Sequence, residues 1–165
     1  MKTSPPYRIM AVDPGYGRIG IAVLEKTATK ESLIFSECHE TNAKNEPSER
    51  LASLQKRLRE LIKTYKPEGL ALESLFFSKN QKTALAVAEG RGVIMSEAAA
   101  HGVPVFEYKP VEVKVAVTGY GASDKNQIKE MVKRILKVEK EIKLDDEYDA
   151  IAVGLTHLAV YRHNS

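Results

Sequence analysis

Two acids in this chain end apolar runs. Asp13 stops the stretch Ile9 to Val12, and Glu73 follows Leu70-Ala71-Leu72. A carboxylate at the rim of a buried strand is costly to desolvate unless something positive sits beside it. Two more acids open the apolar segment Ala150 to Leu155: Asp149, and either Asp145 or Asp146, since both can pair with it across one helical turn. Acids at a helix N-terminus gain about 0.3–1 kcal/mol each from the dipole. That accounts for Asp145, Asp146 and Glu147 alike, but not for Asp149, which lies a full turn in and is followed by AIAVGL. Two strand-end acids and two acids on a helix face make a four-carboxylate cluster. Oxygen donors of this kind suit magnesium or manganese. Two such ions about 3.5–4 Å apart suit in-line displacement at phosphorus, one helping to deprotonate water and the other steadying the leaving 3′ oxygen. No serine, cysteine or histidine nucleophile is required. The plainer reading of Asp13 alone is an Asx-type turn residue ahead of Pro14-Gly15-Tyr16-Gly17.

The elements that must position these acids follow from periodicity. Ile9 to Leu24 reads as a β-hairpin whose first strand shows no polar alternation, so both its faces should be covered. Leu33 to Glu37 reads as a third strand completing a meander. From Ser48, Leu51, Leu54, Leu58, Leu61, Ile62 and Tyr65 recur at three and four, one face of a helix ended by Pro67. Gly69 to Glu73 is then a short strand. After a helical crossover it should lie parallel and adjacent to the first, which brings Asp13 and Glu73 to the same sheet end. Ser74 to Asn80 is a polar loop carrying the aromatic pair Phe76 and Phe77, followed by a helix from Gln81 to Ala100 rich in alanine and holding Gly90 and Gly92. Each of those glycines costs roughly 1 kcal/mol relative to alanine, which predicts a closely packed partner helix from this chain or a second copy. Val103 to Tyr108 is a fifth strand. Helices from Pro110 to Val117, Asp124 to Val138 and Asp146 to Arg162 complete the chain, with lysines at 114, 125, 129, 133, 137, 140 and 143. The expectation is one α/β domain over residues 1–165 with a five-stranded mixed sheet, its first three strands antiparallel, flanked by helices.

Composition narrows the class. At 165 residues, 43% apolar and 28% charged, the chain has the make-up of a folded globular protein. No transmembrane run or signal-peptide segment stands out, so a cytoplasmic protein with no membrane association is expected. Cys38 is the one cysteine, which excludes an internal disulfide and a cysteine-built zinc site. The net charge of +3 is compatible with nucleic acid but is also met by ordinary solubility.

The ordered set VDPGYGRIG, LESLFFSKN, EGRGV, VFEYKPVEVKVAVTGYG, SDKNQ and DEYDAIAVGLTH resembles the RuvC family of bacterial Holliday-junction resolvases, along nearly the whole chain. The resemblance implies a ribonuclease H-like fold. It implies that Asp13, Glu73, Asp146 and Asp149 are metal-binding catalytic acids, which favours Asp146 over Asp145. It places Lys114 and Lys125 against the DNA backbone near the scissile phosphate. Phe76 and Phe77, with Lys79 and Asn80 beside them, fall in the loop that contacts DNA at the junction point, where an aromatic ring on an unpaired base contributes about 1–3 kcal/mol. The helix after that loop is the family's dimer contact. Tyr16 departs from the family, which usually has a small residue there. His157 is expected to be a packing residue.

The expected activity is magnesium-dependent nicking of four-way DNA junctions by a two-fold homodimer, with a RuvA–RuvB branch-migration complex as an implied partner. GRIGIAV also resembles the YqgF-type nucleases, so cleavage of structured RNA is the second enzyme reading, and a catalytically silent junction-binding module is the non-enzymatic one.

Overall fold

The computed structural model describes residues 5–74 and 81–161. Five strands form one sheet in the order β3-β2-β1-β4-β5: β1 (Tyr7–Asp13), β2 (Arg18–Lys26), β3 (Glu31–Glu40), β4 (Gly69–Glu73) and β5 (Val105–Tyr108). β1–β2 and β2–β3 are antiparallel, whereas β1–β4 and β4–β5 are parallel. The helices are α1 (Pro47–Tyr65), α2 (Gln81–Ala100), α3 (Pro110–Thr118), α4 (Lys125–Leu136) and α5 (Asp145–Val160).

β1 is apolar on both faces because both are covered. Met10 and Val12 pack with Leu54, Leu58, Leu61 and Ile62 of α1 and with Ile94 and Ala98 of α2. Ile9 and Ala11 pack on the opposite side with α5, backed by Val113 and Val117 of α3 and Ile128 and Val132 of α4. α5 is therefore sandwiched, and nearly every residue from Glu147 to Leu158 is buried, as expected of a helix apolar all round. Burial of each such leucine or isoleucine is worth about 1.5–3 kcal/mol.

α1 starts at Pro47, with the Glu46 amide donating to Glu49, and stops where Lys66 turns left-handed and donates its N–H to the Ile62 carbonyl, directly before Pro67. Leu51 and Tyr65, expected on its buried face, are only half-buried. β3 is longer than the expected Leu33 to Glu37. As an edge strand it tolerates charge, and Arg57 of α1 clamps Glu37 through two contacts of 2.7 and 2.8 Å. β5 starts two residues later than expected, at Val105, and α4 ends at Leu136, where Lys137 turns left-handed. Among the described residues no helix is long and apolar enough to cross a membrane.

Candidate active site

Asp13 and Glu73 are the last residues of β1 and β4, and the parallel register Val12↔Leu72 sets them side by side. Alternation along both strands puts them on the α5 face, with Ala11 and Ala71. Asp13 is hydrogen-bonded to Glu73. Its carboxyl is held well above the usual carboxylate range, first by burial, then by this bond and by the charges of Glu73, Asp149 and Asp146.

α5 brings the other acids. Gly20 faces Asp13 across the β1–β2 ladder. A β-carbon on Gly20 would lie 1.8 Å from the Asp146 carbonyl oxygen, so only glycine lets the first turn of α5 rest on β2. About two turns further on, a β-carbon on Gly154 would lie 2.4 Å from Leu24 and 3.2 Å from the Ala11 β-carbon. These two contacts press α5 onto the sheet. The Asp146 carboxylate reaches within 3.9 Å of where a Gly15 side chain would start, above the β1–β2 turn. Asp149, half-buried, accepts a hydrogen bond from Lys125 Nζ at 3.3 Å. Burial raises its carboxyl, Lys125 works against that, and Glu73 and Asp146 add to it. Lys125 in turn is raised, chiefly by Asp149.

Asp145 is exposed, whereas Glu147 is buried. Glu147 accepts from the Ser36 hydroxyl and from Lys140 Nζ, both at 2.6 Å, and Lys140 also donates to the Ser36 carbonyl at 2.5 Å. This third acid ties the start of α5 to β3, a role that sequence reasoning missed. Its only signal is position, two residues before Asp149 and on another face of the helix.

Among the described residues no three acid, histidine or cysteine side chains converge tightly enough to cage an ion as they stand. Asp13 leans on Glu73, and Asp149 on Lys125. The donor set is nonetheless all carboxylate, and Asp13 and Asp149 are raised first by burial and then by neighbouring acids, surroundings that fit a hard divalent ion.

A family model described as Crossover junction endodeoxyribonuclease RuvC matches residues 9–157. The chain belongs to the RuvC family. It is 44% identical over 149 residues to the crossover junction endodeoxyribonuclease RuvC of Petrotoga mobilis, covering 90% of this chain and 91% of that protein. To the protein of the same description from Thermotoga maritima it is 42% identical over 151 residues, 91% and 89% of the two chains. The structure of Thermus thermophilus RuvC in complex with a Holliday junction substrate superposes with a TM-score of 0.86 at 30% identity, over 93% of each chain. The sheet order and flanking helices are thus those of the ribonuclease H-like RuvC fold.

Within this RuvC-family chain the remaining expectations fall unevenly. Phe76, Phe77, Lys79 and Asn80 lie outside the described residues. Lys114 is half-buried on α3, and its carbonyl accepts from the Thr118 hydroxyl at 2.8 Å. On α2, a Gly90 side chain would meet Leu54 only at an ordinary 3.8 Å, and Gly92 faces open space. No close packing within the described chain demands either glycine. His157 is fully buried, with Nε2 on the Tyr7 hydroxyl at 2.9 Å and Nδ1 on the Tyr108 hydroxyl at 2.8 Å. Both ring nitrogens are engaged inside the aromatic core, so it is a packing histidine.

Proposed function

We propose that this chain is a structure-selective endonuclease that resolves Holliday junctions by paired symmetric nicks, in DNA recombination and repair. The observation that carries the reading is the meeting of Asp13 and Glu73 at adjacent strand ends with the α5 turn bearing Asp146 and Asp149, in a member of the RuvC family.

Asp13, Glu73, Asp146 and Asp149 would hold magnesium, two ions per site, with manganese able to substitute. Bound there, the metal supplies the positive charge that favours in-line attack of water on a phosphodiester, leaving 5′-phosphate and 3′-hydroxyl ends. The residues of the chain do the rest. Asp13 would give up the proton that its burial favours, which turns a hydrogen-bonded pair of acids into a ligand set. Lys125, which already donates to Asp149, would hold a phosphate oxygen, and Lys114 is the second lysine that the family implies against the DNA backbone. Asp146 is fixed by the contact of its own backbone with Gly20.

Two cuts need two sites. α2 turns an exposed stripe of Leu85, Ala88, Gly92 and Met95 away from the sheet, with Leu85 76% exposed. We assign this stripe to a homodimer contact, where an open Gly92 permits close approach of a second α2. A RuvA–RuvB branch-migration complex is the further partner implied by the family.

The test is a panel of synthetic four-way junction, duplex DNA and folded RNA, incubated with the purified protein and magnesium, with the cut positions mapped. Paired nicks at symmetric positions in the junction alone are expected. Preference for RNA would favour a YqgF-like activity, and binding without cutting in either magnesium or manganese would leave a junction-binding module.

A further inference from the structure

Glu73 is held from two sides at the point where the chain leaves β4. On one side the Ser74 N–H donates to the Tyr108 carbonyl of β5 at 2.8 Å. On the other, Arg91 of α2 donates through Nη1 to the main-chain carbonyl of Glu73 and through Nη2 to the Glu107 carboxylate. The Arg91 side chain is 12% exposed, against 45% for Glu107. Glu107 pairs with Leu72 and Glu73 with Tyr108 in the β4–β5 register, so one guanidinium spans both strands across their last two rungs.

We infer that Arg91 is a positioning residue for cleavage, fixing the backbone of Glu73 so that its carboxylate meets Asp13. The inference rests on the reading of Glu73 as a catalytic acid. Arg91 touches neither substrate nor the reacting atoms. It lies on the opposite side of the sheet from the acid cluster and acts through one carbonyl. The fork of a guanidinium suits this task, because two donors fixed in one plane can serve a carbonyl and a carboxylate together. A lysine offers a single point of charge and can keep only one of the two contacts in good geometry. Without either donor the Glu73 carbonyl loses its charged partner, and the end of β4 is tied down by β5 alone. A small displacement of a reacting group is felt strongly in rate and weakly in affinity.

The test compares R91Q, R91K and E107Q with E73Q in the full chain. For each, single-turnover cleavage at saturating junction, junction affinity without divalent ions, thermal unfolding, and amide exchange over residues 69–74 are measured. R91Q is expected to lower the cleavage rate at saturation roughly ten- to hundredfold, with junction affinity unchanged. Amide exchange at the end of β4 should rise even with no metal present. R91K should restore part of the rate. E107Q, which leaves the Glu73 contact in place and removes a half-exposed charge, should lower the rate less than R91Q, again without loss of affinity. Wild-type cleavage by R91Q or E107Q alongside an inactive E73Q overturns the inference. So does a loss in R91Q that appears equally in affinity and folding while E107Q behaves as wild type. Wild-type cleavage by E73Q instead overturns the reading of Glu73 on which the inference stands.

Discussion

Gly20 and Asp146 meet through their backbones, 126 positions apart in the chain, with the Asp146 carbonyl oxygen 1.8 Å from where a β-carbon on Gly20 would be. The contact sets the height of α5 above the sheet directly across the ladder from Asp13. Gly20→Ala is therefore expected to push α5 outward, lowering stability by at least about 1–3 kcal/mol and abolishing junction cleavage. Gly92→Ala, which meets open space, should leave the monomer as stable or up to about 1 kcal/mol more so. Thermal unfolding of the two variants checks the contrast.

The same Gly92 separates the fold from the proposed assembly. Gly92→Lys places a charge in the exposed α2 stripe, at a position where a β-carbon meets nothing within the described chain. Light scattering should show a monomer that unfolds near the wild-type temperature. A dimer of unchanged mass would remove α2 as the contact.

Asp13 gives a pH signature. Its carboxyl is raised, so the folded chain holds this proton more tightly than the unfolded one. The stability it contributes is complete below the ordinary carboxylate range and is lost as pH rises through the raised value. Asp13→Asn should thus be more stable than wild type near pH 8 without divalent ions, with the difference shrinking as pH falls. Magnesium should stabilise the wild type, by about 2.7 kcal/mol at a hundredfold excess over its dissociation constant, and stabilise Asp13→Asn much less. Thermal unfolding across pH, with and without magnesium, reads both effects.

His157 titrates in the opposite sense. Burial lowers its imidazole to about 4 from an ordinary 6.5, so the unfolded chain binds the proton first on acidification. Its contribution is present above pH 6.5 and is lost between 6.5 and 4, about 3 kcal/mol in all. His157→Gln should be less stable at neutral pH, because the buried hydrogen bonds of the imidazole to the Tyr7 and Tyr108 hydroxyls are lost. It should also show a shallower fall between pH 6.5 and 4. Denaturant midpoints of the two proteins over that range are the measurement.

Much of this arrangement was legible because a strand writes its own burial. Ile9 to Val12 reads as a strand with two covered faces and Gly69 to Glu73 as a short strand, and a helical crossover between them is expected to bring Asp13 and Glu73 to the same sheet end. Gly20 and Gly154 were visible as glycines, but their meaning was not, since a close approach is a property of two distant segments. Lys125 meeting Asp149, Glu147 meeting Ser36 and Lys140, and Arg91 meeting Glu73 were hidden for the same reason: side-chain partners across the fold leave no periodic trace. The glycines of α2 point to a close partner helix from this chain or a second copy, and within the described chain Gly92 meets open space and Gly90 only an ordinary contact.

The proposed reaction depends on the acid cluster, and Asp149→Asn tests that dependence most directly, since the substitution keeps the size and helix position of the side chain while removing its charge. Nicking of a synthetic four-way junction in magnesium should fall roughly a hundredfold or more, with junction binding retained. Cleavage near the wild-type rate at the same positions would contradict the account.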